Sequence, residues 1–460
     1  MGQAKLAQMG QFYVAVYSVR AASARDDERT MMKGRRGRGR LDEGRHPTGG
    51  PDGERARPDA LWRNRDAVLL WAGQAVSTLG SQVSGLALPL LVLALTGSAA
   101  QAGLVGALQT LPHLVFSLPA GALIDRWDRK AVMVRCDIAR ALAYGSVPLA
   151  SALGHLTLAQ LCAVALAGGT AFVFFNIAQV SALPRVVTPA HLPRANGVNA
   201  SVDAAAGLLG PGLGGVIIGL ARTTISGAAL AYLVDSISYV ASVLSLLFIR
   251  TPFQGERVPA PVRSLRAEIA DGLRFLWAHP VLRIIGLLNL VRNILVAPAY
   301  LAVIVLARGA LHADARAVGL IFGLGSVGGI LGSAVAPWAT ARLRYGRVIV
   351  GTVALEALAL ALLAAAPTPA LLVAGWALYT LSAPIQTVTL ITYRQAVTPD
   401  AVQGRVNGAA RLLVFGGNSL GQAAGGLLLG PLGPRAELGL AAAALGACAV
   451  TVGLTRIRRS

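Results

Sequence analysis

From residue 66 to residue 455 the chain is a succession of apolar runs divided by short polar stretches. Each run is close to the about 20 residues that a helix rising 1.5 Å per residue needs to cross roughly 30 Å of hydrocarbon. The runs fall near 66–95, 101–123, 131–153, 156–178, 199–220, 228–249, 281–306, 316–340, 347–366, 369–391, 409–430 and 436–455. They predict an all-α membrane protein with twelve transmembrane helices. The longest interruption, about 250–280, holds Pro252, Pro259 and Pro261 and the stretch SLRAEIADGLRFLW, which predicts a short interfacial helix and divides the spans six and six. The expected organisation is a basic tail at 1–65, a six-helix bundle at 66–249, a linker at 250–280, a second bundle at 281–455 and a tail at 456–460.

Composition supports this pattern. Of 460 residues, 55% are hydrophobic and 13% charged, with a mean hydropathy of +0.61. A soluble chain carries roughly 25% charged residues because its surface meets water; this one is built to meet lipid. The net charge of +20 has a local origin, since 14 of the 41 Lys and Arg residues precede residue 66. That tail, with KGRRGRGR at 33–40, has no hydrophobic periodicity and is expected to be disordered, with Met31 or Met32 as alternative starts and no secretory signal. Without a folded reading element a basic tail specifies no nucleic acid, so none is expected as a partner.

The remaining basic residues alternate from loop to loop. Arg126, Arg129, Lys130, Arg135, Arg140, Arg185, Arg194, Arg250, Arg342, Arg344, Arg347, Arg394, Arg405 and Arg411 belong to one set of span ends, together with the linker and the C-terminus; the other set holds Arg222, Arg308, Arg316 and Arg435. The positive-inside rule then predicts both termini on the cytoplasmic side of the cell membrane. Cys136, Cys162 and Cys448 lie in or beside apolar runs and show no disulfide or metal spacing, and the histidines make no pair at ligand spacing. No Walker phosphate loop is present, so direct use of ATP is not expected. No catalytic residue, metal or cofactor is predicted.

The two halves repeat. ANGVNASVDAAAGLLGPGLGG at 195–215 aligns without gaps onto VNGAARLLVFGGNSLGQAAGG at 406–426, placing Asn196, Gly197, Gly210, Gly214 and Gly215 over Asn407, Gly408, Gly421, Gly425 and Gly426. VTP at 187–189 recurs at 397–399, and GLVGAL at 103 lies over GLIFGL at 319. Parallel six-span repeats are a transporter architecture with substrate handled near the midplane.

Two motifs narrow the class. In GALIDRWDRK, Gly121 permits close helix approach and Asp125, Arg126, Arg129 and Lys130 concentrate charge at a helix end, where they can latch one arrangement of neighbouring helices. Its order resembles the signature of the major facilitator superfamily. In the fifth span, Gly197, Ala206, Gly210, Pro211, Gly214 and Gly215 give small residues for close backbone contact and a proline bend, and resemble the antiporter motif of that superfamily's drug:proton exporters, with Ala206 in place of the more usual Gly. The stretch from Leu61 through GQAVSTLGSQVSGLALPLLVLALTGSAAQAGLVGAL, with NIAQVSALPRVVTP and YRQAVTPDAVQGRVNG, is similar to the branch containing the enterobactin exporter and the macrolide efflux pumps. The resemblance covers about 61–455. It implies alternating access, efflux, and a cavity lined by spans one, four, seven and ten. Ser81 stands where many relatives carry an acid, so a proton site there does not transfer.

An ionised group at the bilayer centre costs about 2.5–3.5 kcal/mol on insertion scales, so each one needs a reason. Arg292, flanked by Asn289 and Asn293 in the seventh span, is expected to face the cavity, as an anion-binding group or the partner of a titrating carboxylate, or else to form a structural ion pair. Asp235 in the sixth span and Glu356 in the ninth are possible proton carriers, although peripheral spans favour interhelical hydrogen bonding. Asp203 is expected to pair with nearby arginines. Asn176, Gln179, Gln74, Gln82, Trp376, Tyr379 and Gln386 are further cavity candidates, with helix packing as the alternative for each. The expected function is secondary active export of a small amphipathic molecule (drug, siderophore or other secondary metabolite) coupled to protons by a monomer in the bilayer. The alternative is a lipid or lysophospholipid carrier of the same fold.

Overall fold

The computed structural model describes residues 62–188, 191–254 and 265–454; the side chains of Leu118, Ala122, Asp125, Pro193, Asp400, Ala401 and 265–269 are outside that description. The N-terminal tail, most of the prolines of the linker and the last residues therefore fall outside it. Among the described residues all regular structure is helical. Lipid offers backbone N–H and C=O groups no partners, so spans that satisfy their own hydrogen bonds are the form such apolar runs must take.

The first half comprises α1 (Arg65–Thr96), α2 (Ala99–Arg126), α3 (Arg129–Ala152), α4 (Leu158–Val186), α5 (Leu192–Leu220) and α6 (Thr224–Phe248). Short connections with side-chain caps turn the chain: Asn64 accepts from the amides of Asp66 and Ala67, Asp128 from Ala131, Thr157 from Gln160, and Thr223 forms a capping box with Ser226. The linker contributes the amphipathic α7 (Leu265–Ala278). The second half has α8 (Pro280–Val296), α9 (Ala299–Gly309), α10 (Ala315–Gly325), α11 (Val327–Arg342), α12 (Tyr345–Ala365), α13 (Pro369–Val397) and α14 (Asp400–Leu454).

The seventh and eighth runs, expected as single spans, are each interrupted. Pro298, which has no amide hydrogen, separates α8 from α9, and at Ser326 the amide turns to Phe322 and Gly323 between α10 and α11. Conversely, α14 holds two spans. Gly433, between Pro431 and Pro434, leaves the helical region at φ 76° and ψ 162°. Arg435 just beyond it donates to Ala366 O at the C-terminal end of α12, whereas Gly453 lies against Val350 near the N-terminal end of that helix, so the chain has reversed. Nine helices among the described residues are long and apolar enough to cross a membrane. The two-span α14, together with α2 and the charge-bearing α3, brings the count to twelve.

Packing follows the repeat. Within the first half α1 packs on α5 and α6, α3 on α4 and α6, and α2 on α4; within the second half α8 and α12 pack on α14, α12 on α13, and α11 on α13. The halves meet through α2 against α14 and α5 against α10. Both meetings are glycine on glycine. A Cβ on Gly103 would stand 2.6 Å from Gly426 Cα, and one on Gly215 would stand 2.8 Å from Gly319 Cα. Since Gly215 aligns with Gly426 and Gly103 with Gly319, these are the same crossing made twice. The outward faces carry exposed apolar side chains, as on α3 and at its C-cap, where Leu142, Leu149 and Leu153 are 71%, 62% and 62% exposed. That arrangement suits hydrocarbon and not water.

Candidate functional site

Three polar clusters lie inside the spans. The first joins α1 to α6. Gly80, Ser81 and Ser84 share one face of α1; Asp235, Ser238 and Tyr239 share one face of α6 through i, i+3, i+4 spacing. Asp235 is fully buried: Ser84 Oγ donates to its Oδ2 at 2.5 Å and Ser238 Oγ to its Oδ1 at 3.0 Å. A side chain on Gly80 would fall 2.6 Å from Asp235 Oδ1, so glycine there admits the carboxylate. Ser81 Oγ and Tyr239 Oη are 2.8 Å apart. No cation lies within ion-pair distance of Asp235 among the described residues.

The second cluster surrounds Arg140. This residue, grouped by sequence with the loop arginines, lies eleven positions into α3 and is only 4% exposed. Its guanidinium carbon stands 5.4 Å from the Phe172 ring centroid and 5.2 Å from those of Phe175 and Tyr239, within range for cation–π attraction. Asp137, one turn earlier, approaches Nη1 at 3.5 Å. A cavity of about 220 Å³ opens beside the guanidinium, lined also by Ser81, Gln109, Thr110, His113 and Tyr144.

The third cluster mirrors the second with charge reversed. Glu356 also lies eleven positions into its helix, α12. Fully buried, it accepts from Arg292 Nε at 2.6 Å and from Arg292 Nη2 as well, and from Ser382 Oγ at 2.9 Å. The two-point guanidinium–carboxylate fork is the strong form of this interaction. Arg292 is therefore the partner of a carboxylate on α12, with its side chain 12% exposed, and does not face a described cavity.

A second cavity of about 230 Å³ lies where the halves meet, lined by Gln109, Pro298, Tyr300 and Gln422 among others. None of Arg292, Asn289, Asn293, Asn176, Gln179, Gln74, Gln82, Trp376, Tyr379 or Gln386 lines either described cavity. Packing explains several of them. Trp376 and Gln386 are 8% and 2% exposed, and Trp376 packs in an aromatic cluster with Tyr300, Phe322 and Tyr379. Gln179 and Asn293 are likewise buried, and Gln82 packs beneath Gly210. Asp203 is exposed and makes no ion pair among the described residues.

The motif residues are brought together as structural joints. Gly210 and Gly214 let α5 approach α1 at Gln82, Val83 and Leu86, Gly215 meets α10, Pro211 presents its carbonyl to Gly319, and Ala206 is buried. Gly197 has open space around it, and so does Gly121, contrary to the close approach expected there. Arg129 Nη1 donates to Ser181 O at 3.0 Å and Phe253 O at 3.3 Å, Lys130 Nζ to Ile249 O at 2.7 Å, and Gln254 Nε2 to Trp127 O at 2.6 Å. The cluster thus clamps the end of α6 and the chain after it to α4 and the α2–α3 turn, with Arg126 exposed. Sequence reasoning passed over Arg140, Asp137 and His113. The signal available was the D-x-x-R spacing inside an otherwise apolar span, which puts both charges on one helix face.

Twelve spans in two repeated halves that cross on glycines are those of a polytopic transporter of the major facilitator superfamily. Within it the chain belongs to the transmembrane secretion effector family, whose pattern matches residues 60–460. It is 29% identical over 407 residues to the multidrug efflux pump Tap of Mycobacterium tuberculosis, covering 85% of this chain and 93% of that protein. It is 25% identical over 207 residues to macrolide efflux protein A of Streptococcus pyogenes, covering 45% and 50%. Similar solved folds include the nucleoside transporter NupG (TM-score 0.67, 14% identity, 84% of this chain and 98% of that one). Another is a bacterial homologue of the iron transporter ferroportin in an inward-facing state (TM-score 0.65, 18% identity, 86% and 100%).

Proposed function

We propose that this protein exports small amphipathic molecules, drugs or other secondary metabolites such as siderophores, across the cell membrane in exchange for protons. The family, and relatives named as a multidrug and a macrolide efflux protein, support the direction and the cargo class. The observation that carries the coupling is the contrast between Asp235 and Glu356, the two span carboxyls expected as proton carriers, among four that are buried with Asp137 and Glu437. Glu356 is neutralised by the Arg292 fork and behaves as a structural ion pair, whereas Asp235 is held by hydroxyls alone. A desolvated carboxyl with hydroxyl partners and no cation is the group of the two suited to take up and release a proton during a cycle.

Alternating access is supported by where the halves touch. The glycine crossings, the Arg316 Nη2 bond to Gly219 O at 3.0 Å and the Arg308 Nη2 bond to Thr224 Oγ1 at 3.2 Å all lie toward the ends of the spans far from Arg65. With the basic loops cytoplasmic, both termini lie inside, and the described closure is on the outer side. The working unit is a monomer of two bundles, 66–249 and 281–455, joined by the linker. The clamp built on Arg129 and Lys130 and the small-residue face of α5 act as joints in the motion.

Export by everted vesicles tests this. An imposed pH gradient is expected to drive uptake of a fluorescent macrolide or ethidium with the wild type and not with Asp235→Asn, while Arg292→Met/Glu356→Leu retains the dependence. Uptake indifferent to the gradient, or movement of a fluorescent lysolipid in place of every drug, defeats the reading.

A further inference from the structure

A buried guanidinium that the ion pair does not fully use points to a ligand. Arg140 is 4% exposed and offers a planar fork of five N–H donors. Asp137 meets the Nη1 side only, at 3.5 Å, and the buried Nη2 has no hydrogen-bond partner. Native structures leave few such groups unpaired, and each asks for an explanation. Arg140 is also one of the residues that line the 220 Å³ cavity, with Phe172 and Tyr239 as ring walls and Gln109, Thr110 and His113 as polar edge. A 150 Å³ apolar cavity already holds benzene, so this volume admits a head group with an attached ring.

The charges around the cavity set the sign of the ligand. From α3 comes Asp137, fully buried, whose two carboxylate oxygens have no hydrogen-bond partner and whose Oδ1 stands 3.5 Å from Arg140 Nη1. From α6 comes Asp235, whose two oxygens are occupied by Ser84 and Ser238. Against these stand Arg140 itself and, across the junction of the halves, Arg411 of α14, exposed and close enough for its charge to act on both His113 and Arg394. His113 stacks on Phe415 of α14 with ring centroids 4.5 Å apart, so the cavity edge is shared between the halves. The four charges balance, but of them only Arg140 lines the cavity itself, so the wall that a ligand meets favours an anion.

We propose that this cavity binds the anionic end of an amphipathic organic acid, a carboxylate or sulfonate, through the Arg140 guanidinium, whose Nη2 turns from its unpartnered place to meet it, with the ligand's ring against Phe172 and Tyr239. The proposal rests on the export reading and names the chemical class of cargo that the first half receives.

The test uses the full chain in lipid nanodiscs and two probes with one ring system, 8-anilinonaphthalene-1-sulfonate and the neutral N-phenyl-1-naphthylamine. The wild type is expected to bind the sulfonate about tenfold more tightly, as a charge-assisted fork on a fixed guanidinium allows. Asp137→Asn/Arg140→Gln, which removes both charges together, is expected to bring the ratio near one while the neutral probe binds as before. Arg140→Lys keeps the charge without the fork and is expected to fall between. Equal binding of the two probes by the wild type overturns the proposal whatever the variants do, and so does a preference that survives in Arg140→Lys unchanged. Proton-driven uptake of a cationic drug by a wild type with no anion preference removes this site and leaves export standing. An anion preference without any uptake does the reverse.

Discussion

Breaking the Arg292–Glu356 pair from one side should cost far more than removing both partners. Glu356 is fully buried and accepts three hydrogen bonds, two from Arg292 and one from Ser382, while the Arg292 side chain is 12% exposed. Arg292→Met leaves a carboxylate in the core of the second half with one hydroxyl for company. Stranding a buried charge in this way destabilises by about 3–5 kcal/mol. Glu356→Leu strands the guanidinium instead and should cost a similar amount. Arg292→Met/Glu356→Leu removes the desolvation of both ions and is expected to be near neutral; Ser382 loses little, because its hydroxyl can turn its one hydrogen to Tyr379 O, 2.7 Å away. The coupling in the double-mutant cycle is then several kcal/mol. Equilibrium unfolding of the purified protein in mixed micelles, followed by tryptophan fluorescence, measures it. Single variants that lose under about 1 kcal/mol, or a double variant whose loss equals the sum of the singles, would refute the assignment of this pair as a compensated core ion pair.

Other perturbations have defined outcomes. Gly215→Ala and Gly426→Ala drive a methyl group toward backbone, 2.6 Å from Ala315 O in the first case and 2.7 Å from Gly103 Cα in the second. Each should open the contact between the halves, and faster thiol labelling of Gln422→Cys in a background lacking Cys136, Cys162 and Cys448 would report it; unchanged labelling would show that the crossings do not hold the closure. Lys130→Met removes the donors to Ile249 O and Leu247 O and is expected to speed proteolysis at the linker without lowering expression, an effect absent if the clamp is idle. Asn64→Ala deletes the cap of α1 and the 2.8 Å bond to Val186 O; a loss of about 1 kcal/mol in the same unfolding assay is expected, and a loss of nothing would mean that water replaces the cap. Asp235→Asn keeps one serine hydroxyl as a donor to the amide oxygen, while the other accepts from the amide NH2 and donates to a backbone carbonyl, Ser81 O or the carbonyl of residue 235; it should fold normally while abolishing gradient-driven uptake, with exchange of unlabelled for labelled drug preserved.

Much of this protein is determined by local chemistry along the chain. Apolar runs of bilayer length must be helices because nothing else satisfies their backbone in lipid, so the number of spans and the helix α7 between the sixth and seventh of them follow from the runs themselves. The repeat at 195–215 and 406–426, with its weaker companion at 103 and 319, marked the glycines that the halves use to cross. What tertiary packing alone decided is the rotation of each helix about its axis. Successive residues turn by about 100°, so an error of one or two residues in register moves a side chain from a cavity wall to the core. That is why Trp376 and Gln386 are packed inside, Arg292 is bound to α12, and Arg140, one arginine among many in the sequence, is a buried cation ringed by aromatic side chains beside a cavity. Linear order cannot say which charges separated by 64 residues, as Arg292 and Glu356 are, will be brought face to face; only the packing of the helices that carry them does.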